Sequence, residues 1–231
     1  MPNPFSIKQR EVLQRIAGPT EPKPSDPSRS DPAAIFRAKS RRAGLPSRHC
    51  GSLASMTWTD QIHQAWLELV SEIDDGGFAA LIGPSGTGKT QLATAAMARH
   101  FFAQWGGNPP AFYLTANDLF LKLRSAMTGT GLSEDVLFSV YKHCDFLILD
   151  EFGELSGTDY ETRRLVDLID FRYRNKLPMI LVGNGSRETF SRRMGPSAVS
   201  RCHEVCVIIE THTWSNFRVG RRESRLIGGS V

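Results

Sequence analysis

The hydrophobic residues of this chain follow two alternating patterns from about residue 57 onward. Short apolar runs are separated by longer stretches in which apolar residues recur every three or four positions. The runs predict buried strands, and the longer stretches predict amphipathic helices. The predicted strands cover residues 78–82, 111–115, 145–149, 179–183 and 204–209. The predicted helices cover residues 60–73, 89–104, 117–126, 133–143, 160–175 and 187–194.

This alternation predicts the fold class. Several predicted strands are apolar nearly throughout, which is typical of strands that are buried on both faces. Such strands, alternating with helices, predict an α/β fold with a five-stranded parallel sheet between two layers of helices. Ligands of parallel sheets bind at the carboxyl ends of the strands, so the residues that follow each strand are the candidates for chemistry.

The first predicted strand leads into a glycine-rich loop that matches the pattern G-x-x-x-x-G-K-[ST]. This pattern predicts backbone N–H groups around a polyphosphate, with Lys89 on the outer phosphates and the Thr90 hydroxyl on Mg²⁺. The helix that follows would point its N-terminal dipole at the phosphates. A flexible glycine-rich turn is the alternative. We predict that a nucleoside triphosphate binds to Gly83, Pro84, Ser85, Gly86, Thr87, Gly88, Lys89, Thr90 and Gln91.

The third predicted strand ends in two acidic residues, Asp150 and Glu151. Because the carboxyl ends of parallel strands meet at one edge of the sheet, both should lie beside the phosphate loop. Adjacent side chains of an extended backbone point in opposite directions, so the two acids should have different roles. We predict that Asp150 holds Mg²⁺ together with Thr90, and that Glu151 activates the attacking water. An acidic turn that closes a strand is the alternative.

The fourth predicted strand ends at Asn184, which lies between two glycines. Its amide could contact the γ-phosphate or the attacking water as a sensor, or this sequence could form a plain turn. Several arginines follow before the last strand, and phosphoryl transfer is often accelerated by an arginine from a neighbouring molecule. The residues alone do not select one of Arg187, Arg192, Arg193 and Arg201.

Together these motifs resemble the AAA+ ATPases, and among them the DnaC/IstB branch of helicase loaders and transposition helpers. The likeness extends from about residue 43 to residue 218, and it includes the phosphate loop and the acidic strand end. The other similar segments are the lead-in at 43–48, the Arg-Tyr helix at 170–174, the arginine-finger segment at 194–201 and a Ser-x-x-Arg segment at 213–218. The resemblance implies an ATPase that uses ATP and Mg²⁺.

The resemblance also implies roles for individual residues. It singles out Arg201 as the arginine finger. It places Asn184 at the sensor position, although residues 182–185 are Val-Gly-Asn-Gly where the family has Thr-Ser-Asn. Lys122 and Arg124 lie on a helix that lines a DNA-binding pore in the family, so they are candidate contacts to single-stranded DNA. Ordinary solvated charges on an amphipathic helix are the alternative.

Residues 1–45 are predicted to form an extension to an ATPase domain of residues 46–231. The extension combines an amphipathic helix over 5–17, five prolines between residues 19 and 32, and a short basic helix from Ala33 to Ala43. It has too few apolar residues for a core of its own. This composition favours a linker and a segment that folds on a partner.

Charge and cysteine content indicate the kind of partner and compartment. Residues 1–48 carry ten Lys and Arg against four Asp and Glu, and residues 186–231 carry eight against four. Basic ends favour a nucleic acid or an acidic protein as partner. No apolar run reaches the ~20 residues of a membrane span, so no membrane partner is expected. Four cysteines without paired spacing are typical of a cytoplasmic protein with reduced thiols.

Three functional hypotheses follow. The favoured one is an ATPase that self-associates into an ATP-dependent oligomer on single-stranded DNA. This oligomer would load or remodel a replicative hexameric helicase, which would bind to the N-terminal extension. The second hypothesis is an IstB-like transposition helper that recruits a transposase. The third is a nucleotide-gated adaptor with negligible turnover.

Overall fold

The computed structural model describes residues 32–49, 57–103, 110–129 and 131–217, so the predicted helix over 5–17 and most of the proline-rich linker lie outside the described residues. None of the described helices has the length and apolar content needed to cross a lipid bilayer. The strands are β1 (Phe78–Gly83), β2 (Ala111–Thr115), β3 (Phe146–Asp150), β4 (Met179–Asn184) and β5 (Cys206–Glu210). The helices are α1 (Pro32–Arg42), α2 (Asp60–Asp74), α3 (Lys89–Ala103), α4 (Ala116–Thr128), α5 (Glu134–His143), α6 (Asp159–Arg174) and α7 (Arg187–Val205).

The five strands form one parallel sheet in the order β2-β3-β4-β1-β5. The α/β class and the five-stranded parallel sheet predicted from the sequence are therefore confirmed. The register pairs Gly83 of β1 with Asn184 of β4, and Thr115 of β2 with Asp150 of β3. The carboxyl ends of all five strands thus meet at one edge of the sheet, called the carboxyl edge below.

Alternate side chains of each strand face opposite helix layers. Phe78, Ala80 and Ile82 of β1 belong to a core with α4, α5, α6 and α7. Ala79 and Leu81 belong to a second core with α2 and α3. Strand β1 is buried along its whole length, which explains why its sequence is apolar throughout.

Four helices begin at a hydroxyl side chain that caps a free backbone N–H group. Thr115, the last residue of β2, caps α4 in this way and fixes the start of that helix at the carboxyl edge. At the start of α6, Thr158 and Glu161 form a reciprocal capping box. The other caps are Thr59 for α2 and Ser133 for α5.

Helix α7 is longer than the sequence pattern predicts. The prediction ended a helix at residue 194 and began a strand at residue 204, whereas α7 continues to Val205 and β5 begins at Cys206. A short apolar stretch fits the end of a helix as well as a strand. The start of β5 is set by pairing, because Cys206 lies opposite Phe78, the first residue of β1. This long-range pairing is not visible in the local sequence.

Arg172 of α6 is completely buried near the amino ends of β3 and β4. Its Nη1 donates to the carbonyl groups of Tyr141 (3.0 Å) and Cys144 (2.9 Å). Its Nη2 donates to the carbonyl of Pro178 at 2.6 Å. Tyr141 lies in the last turn of α5, where a cation is also favoured by the helix dipole. One guanidinium therefore joins α5 and α6 to the segments that lead into β3 and β4.

Replacing Arg172 by Met should lower the free energy of unfolding by at least about 3 kcal/mol, because several buried carbonyl groups lose their donor. Chemical denaturation followed by circular dichroism measures this change. Arg174→Met is a matched control on the same helix, because Arg174 is exposed. The control should change the free energy of unfolding by less than about 0.5 kcal/mol. Equal stability of the two variants would contradict the bridging role of Arg172.

Candidate functional site

The phosphate loop connects the end of β1 to the start of α3. Gly86 and Gly88 have φ angles of 91° and 95°, a backbone conformation that residues with a side chain rarely adopt. A Cβ atom on Gly86 would also lie 2.4 Å from Oδ1 of Asn216. Glycine at these positions therefore permits both the curvature of the loop and its close contact with the segment after β5.

Lys89 is buried at the point where the loop enters α3. Its side chain is only 5% exposed, and Nζ donates to the carbonyl oxygens of Gly83 (2.9 Å) and Pro84 (2.6 Å). A positive charge is thus held against the loop where the sequence pattern predicts a phosphate. Phosphate oxygens can replace the two carbonyl acceptors, so the loop fits a polyphosphate.

Asp150 is buried at the end of β3. Its Oδ2 accepts hydrogen bonds from the Thr90 hydroxyl (2.8 Å) and the Tyr113 phenol (2.6 Å), and its Oδ1 accepts from the backbone N–H of Glu151 (2.7 Å). Carboxylate and other oxygen ligands are the ones that Mg²⁺ prefers in proteins. The structure therefore brings the two predicted magnesium ligands, Thr90 and Asp150, into direct contact.

Tyr113 is a site residue that no sequence motif selects. Burial and the neighbouring Asp150 carboxylate raise the pKa of Tyr113, so its phenol stays protonated and acts as a donor. The backbone N–H of Tyr113 donates to the carbonyl of Ala43 at 2.6 Å, which ties the lead-in to the outer strand of the sheet. The sequence feature that could have indicated this role is a tyrosine hydroxyl within a predicted strand that is mostly apolar.

Glu151 is exposed at the same strand end. Its φ angle of 55° lies in the left-handed region, which is uncommon for a residue with a side chain. Partial burial and the carboxylates of Glu154, Asp150 and Asp118 raise the pKa of Glu151. Backbone strain and clustered like charges occur preferentially at functional sites. The two adjacent acids thus have different surroundings, with Asp150 buried and Glu151 exposed.

Asn184 and Arg201 occupy two other elements. Asn184 ends β4 beside Gly83, and its side chain is exposed at the carboxyl edge. Arg201 lies on α7, but its side chain is outside the part of the chain that the structure describes. On the same helix, Arg193 donates to the backbone carbonyl of Leu155. The structure therefore places Asn184 near the loop and does not test the orientation of Arg201.

Two other candidate cations have partners within the chain. Arg187 binds Glu210 at 3.0 Å. Arg124 binds Glu161, the capping-box acid of α6, at 3.2 Å. This ion pair joins α4 to α6, so Arg124 has a structural contact in addition to its predicted DNA contact. Lys122 is exposed on the same helix.

Residues 211–217, called the closing segment, pack against the outside of the phosphate loop. The Asn216 side chain donates to the carbonyl of Ser85 at 3.3 Å. The backbone N–H of Phe217 donates to the carbonyl of Gly86 at 3.1 Å. The resemblance covers residues 213–218 but does not predict their contact with the loop, because more than a hundred residues separate the two.

A cavity of about 240 Å³ lies between the closing segment and the start of α2. Its lining residues include the aromatic residues Trp214 and Phe217 and the polar residues Thr59, Asp60 and Gln61. Aromatic faces combined with a few polar groups suit a planar heterocyclic base. Phe217 contacts the loop through its backbone, so this cavity adjoins the phosphate site.

A family model described as IstB-like ATP binding protein matches residues 36–203 of the chain. The chain belongs to this IstB-like family. The replicative helicase loader DnaC of Escherichia coli (strain K12) is 25% identical over 146 residues, which are 62% of this chain and 58% of that protein. This IstB-like chain therefore spans little more than half the length of the curated relatives that it matches.

Solved structures with the same fold include two proteins of DNA replication. The crystal structure of the DnaC helicase loader has a TM-score of 0.60 and 20% identity, and the match covers 71% of this chain and 99% of that one. AMPPCP-bound DnaA from Aquifex aeolicus has a TM-score of 0.60 and 18% identity, and the match covers 76% of this chain and 54% of that one. At these identities the likeness shows a shared fold.

Glu151→Gln should raise the melting temperature of the nucleotide-free protein by about 1–2 °C at pH 7. The raised pKa of Glu151 means that its charge is disfavoured in the folded state, so the neutral amide removes both a desolvation cost and a repulsion from nearby carboxylates. The gain should disappear at acidic pH, where the wild-type carboxyl is protonated. Differential scanning calorimetry at several pH values measures both effects.

Glu188→Gln is the control with the opposite expected sign. A hydrogen bond from Ser186 lowers the pKa of Glu188, so its charge stabilises the fold at pH 7 and this variant should melt lower. The contribution of Glu188 should be lost as the pH falls through its folded-state pKa. If the melting temperatures of both variants shifted in the same direction, the electrostatic account of Glu151 would be contradicted.

Proposed function

We propose that this chain is a Mg²⁺-dependent ATPase that loads or remodels a replicative hexameric helicase on single-stranded DNA. The observation that supports hydrolysis most directly is the 2.8 Å contact between Thr90 and Asp150, with the exposed Glu151 beside them. A module that only bound nucleotide would need the phosphate loop and the metal ligands. It would not need a strained, charge-crowded acid at the next position.

The residues of the chain have separate tasks in this proposal. The N–H groups of the phosphate loop and the Lys89 ammonium bind the phosphates, and Gln91 lies at the start of the helix that faces them. Thr90 and Asp150 hold Mg²⁺, which supplies positive charge to the phosphates when it is bound. Tyr113 keeps the Asp150 carboxylate oriented through its hydrogen bond to Oδ2.

Glu151 is the proposed general base. Its carboxylate would orient a water molecule and accept a proton from it during attack on the γ-phosphate. The raised pKa of Glu151 makes this carboxylate a stronger base than an ordinary exposed glutamate. Its exposure leaves the carboxylate accessible to a water molecule at the carboxyl edge.

Two further roles depend on position in the fold. Asn184, exposed beside Gly83, would hydrogen-bond the γ-phosphate or the attacking water as a sensor. Arg201 would stabilise the charge that develops on the nucleotide of a neighbouring subunit. The intramolecular contacts of two other candidate arginines support this choice. Arg187 forms an ion pair with Glu210, and Arg193 donates a hydrogen bond to Leu155. Hydrolysis would then depend on ATP-driven self-association.

The cavity beside Trp214 and Phe217 is the proposed site for the adenine base. Its position next to the phosphate loop gives the nucleotide one continuous site, with the phosphates under the loop and the base against the closing segment. Aromatic walls favour a purine by stacking. This assignment makes ATP the expected substrate.

The proposed partners follow from the relatives. The helicase partner is supported by the match to the protein named replicative helicase loader DnaC, and single-stranded DNA is proposed with it. The extension of residues 1–45 would bind the helicase, and residues 46–231 would form the ATPase domain. The match to the IstB-like family model favours a second candidate, a transposition helper that recruits a transposase.

Wild-type protein should hydrolyse ATP in the presence of Mg²⁺, and Glu151→Gln should lower kcat by at least about 100-fold without loss of ATP binding. Phosphate release measures kcat, and titration with a fluorescent ATP analogue measures affinity, each with and without single-stranded DNA. Glu154→Gln is the matched control, because it changes an exposed acid of the same cluster. It should change kcat by less than about threefold. Absence of wild-type turnover would favour the nucleotide-gated adaptor.

A chain that begins at Pro32 should bind ATP normally but fail to capture a replicative hexameric helicase. Pro32 is a better start than Ala43, because Ala43 and Leu45 are buried in the core and α1 directly precedes them. Pull-downs of the full and shortened chains, with and without a non-hydrolysable ATP analogue, measure capture. Unchanged capture by the shortened chain would contradict a role for residues 1–31 of the extension. Capture of a transposase instead of the helicase would favour the second candidate.

A further inference from the structure

Thr211 lies directly after β5 and is completely buried. Its backbone N–H donates to the carbonyl of Ile82 at 2.8 Å, which extends the pairing between β5 and β1 by one residue. Its hydroxyl lies 2.7 Å from the hydroxyl of Thr87, a residue of the phosphate loop. A Cβ atom on Gly83 would lie 2.3 Å from the same hydroxyl oxygen, so the loop and Thr211 are in close contact.

The two threonine hydroxyls allow two arrangements of hydrogen bonds. In the first, Thr211 donates to Thr87, and Thr87 donates to the carbonyl of Pro84 at 3.0 Å. In the second, Thr87 donates to Thr211, and Thr211 donates to the carbonyl of Ile82 at 3.2 Å. Both arrangements leave every acceptor satisfied, because Lys89 also donates to Pro84 and the backbone of Thr211 also donates to Ile82.

This choice of arrangement matters when a nucleotide binds. Lys89 must turn from the Pro84 carbonyl to the phosphates, and a carbonyl that loses its donor would oppose that movement. Thr87 can take over as the donor to Pro84, and Thr211 then donates to Thr87. The pair of threonines therefore keeps a donor on the Pro84 carbonyl when Lys89 leaves.

We infer that Thr211 is a positioning residue for the phosphate loop, and that it acts through Thr87. The inference rests on the proposed nucleotide site and adds a residue to it from outside the loop motif. Thr211 is fixed to the sheet by its own backbone, so its hydroxyl holds Thr87 at a constant distance from β1. Loss of the hydroxyl would leave the loop free to adopt other shapes, and binding would have to reorder it.

The test compares Thr211→Val, Thr211→Ala and Thr211→Ser. Two probes are titrated by competition with a fluorescent ATP analogue: ATP, and inorganic tripolyphosphate, which has no base. Valine and alanine should weaken binding of both probes by about fivefold, the value of one hydrogen bond. Serine keeps the hydroxyl and should bind both probes within about twofold of wild type.

Thr94→Val is the matched control for stability. Thr94 is also completely buried, and its hydroxyl donates to the carbonyls of Thr90 and Gln91 within its own helix. Melting temperatures without nucleotide show how far each variant destabilises the fold. A positioning role predicts that Thr94→Val and Thr211→Val both lower the melting temperature, but that only Thr211→Val weakens tripolyphosphate binding.

Any other pattern of binding among these variants would overturn the inference about Thr211. Wild-type affinity for both probes in the valine and alanine variants would show that the hydroxyl has no role in binding. If Thr211→Ser or Thr94→Val weakened probe binding as much as Thr211→Val does, the effect would be due to general destabilisation instead. Weakened ATP binding with unchanged tripolyphosphate binding would place the effect at the base cavity. Failure of the wild type to bind either probe would overturn the nucleotide site itself, whereas binding without hydrolysis would overturn only the proposed turnover.

Discussion

The parallel pairing of neighbouring strands is the constraint on which the candidate site depends. The order β3-β4-β1-β5 brings Asp150, Asn184 and Gly83 to the carboxyl edge on three neighbouring strands, with Thr211 directly after β5. These residues come from four separate parts of the sequence. A slip of one residue in any pairing would move every side chain of that strand to the opposite face of the sheet. Burial on both faces therefore fixes the register, and the register fixes the site.

The opposite edge of the sheet contributes to the same result. Arg172 connects the end of α5 to the segments before β3 and β4, so the starting points of these two strands are held together. Since β3 ends at Asp150 and β4 ends at Asn184, their relative position at the carboxyl edge follows from how they begin. A buried cation with several carbonyl partners is thus a means of fixing geometry at a distance, in addition to its contribution to stability.

The sequence predicts the elements well because their signals are local. Apolar runs, the phosphate-loop pattern and the paired acids identify the sheet, the loop and the position of Asp150 beside it. The roles of Tyr113 and Thr211 could not be found in this way. Each acts through a hydrogen bond to a residue far away in the chain, and each has an ordinary sequence environment. The end of α7 escaped prediction for the same reason, because the pairing of β5 with β1 decides it.

The site differs on its two sides. On the β5 side, the closing segment bonds to the phosphate loop through Asn216 and Phe217, so this side is completed by the chain itself. On the β3 and β4 side, Glu151 and Asn184 are exposed, and the left-handed backbone of Glu151 holds its side chain away from the core. Among the described residues, Glu151 and Asn184 therefore leave this side of the site open to groups from another molecule. An arginine from a second subunit, as proposed for Arg201, could enter on that side, next to the residue proposed to activate water.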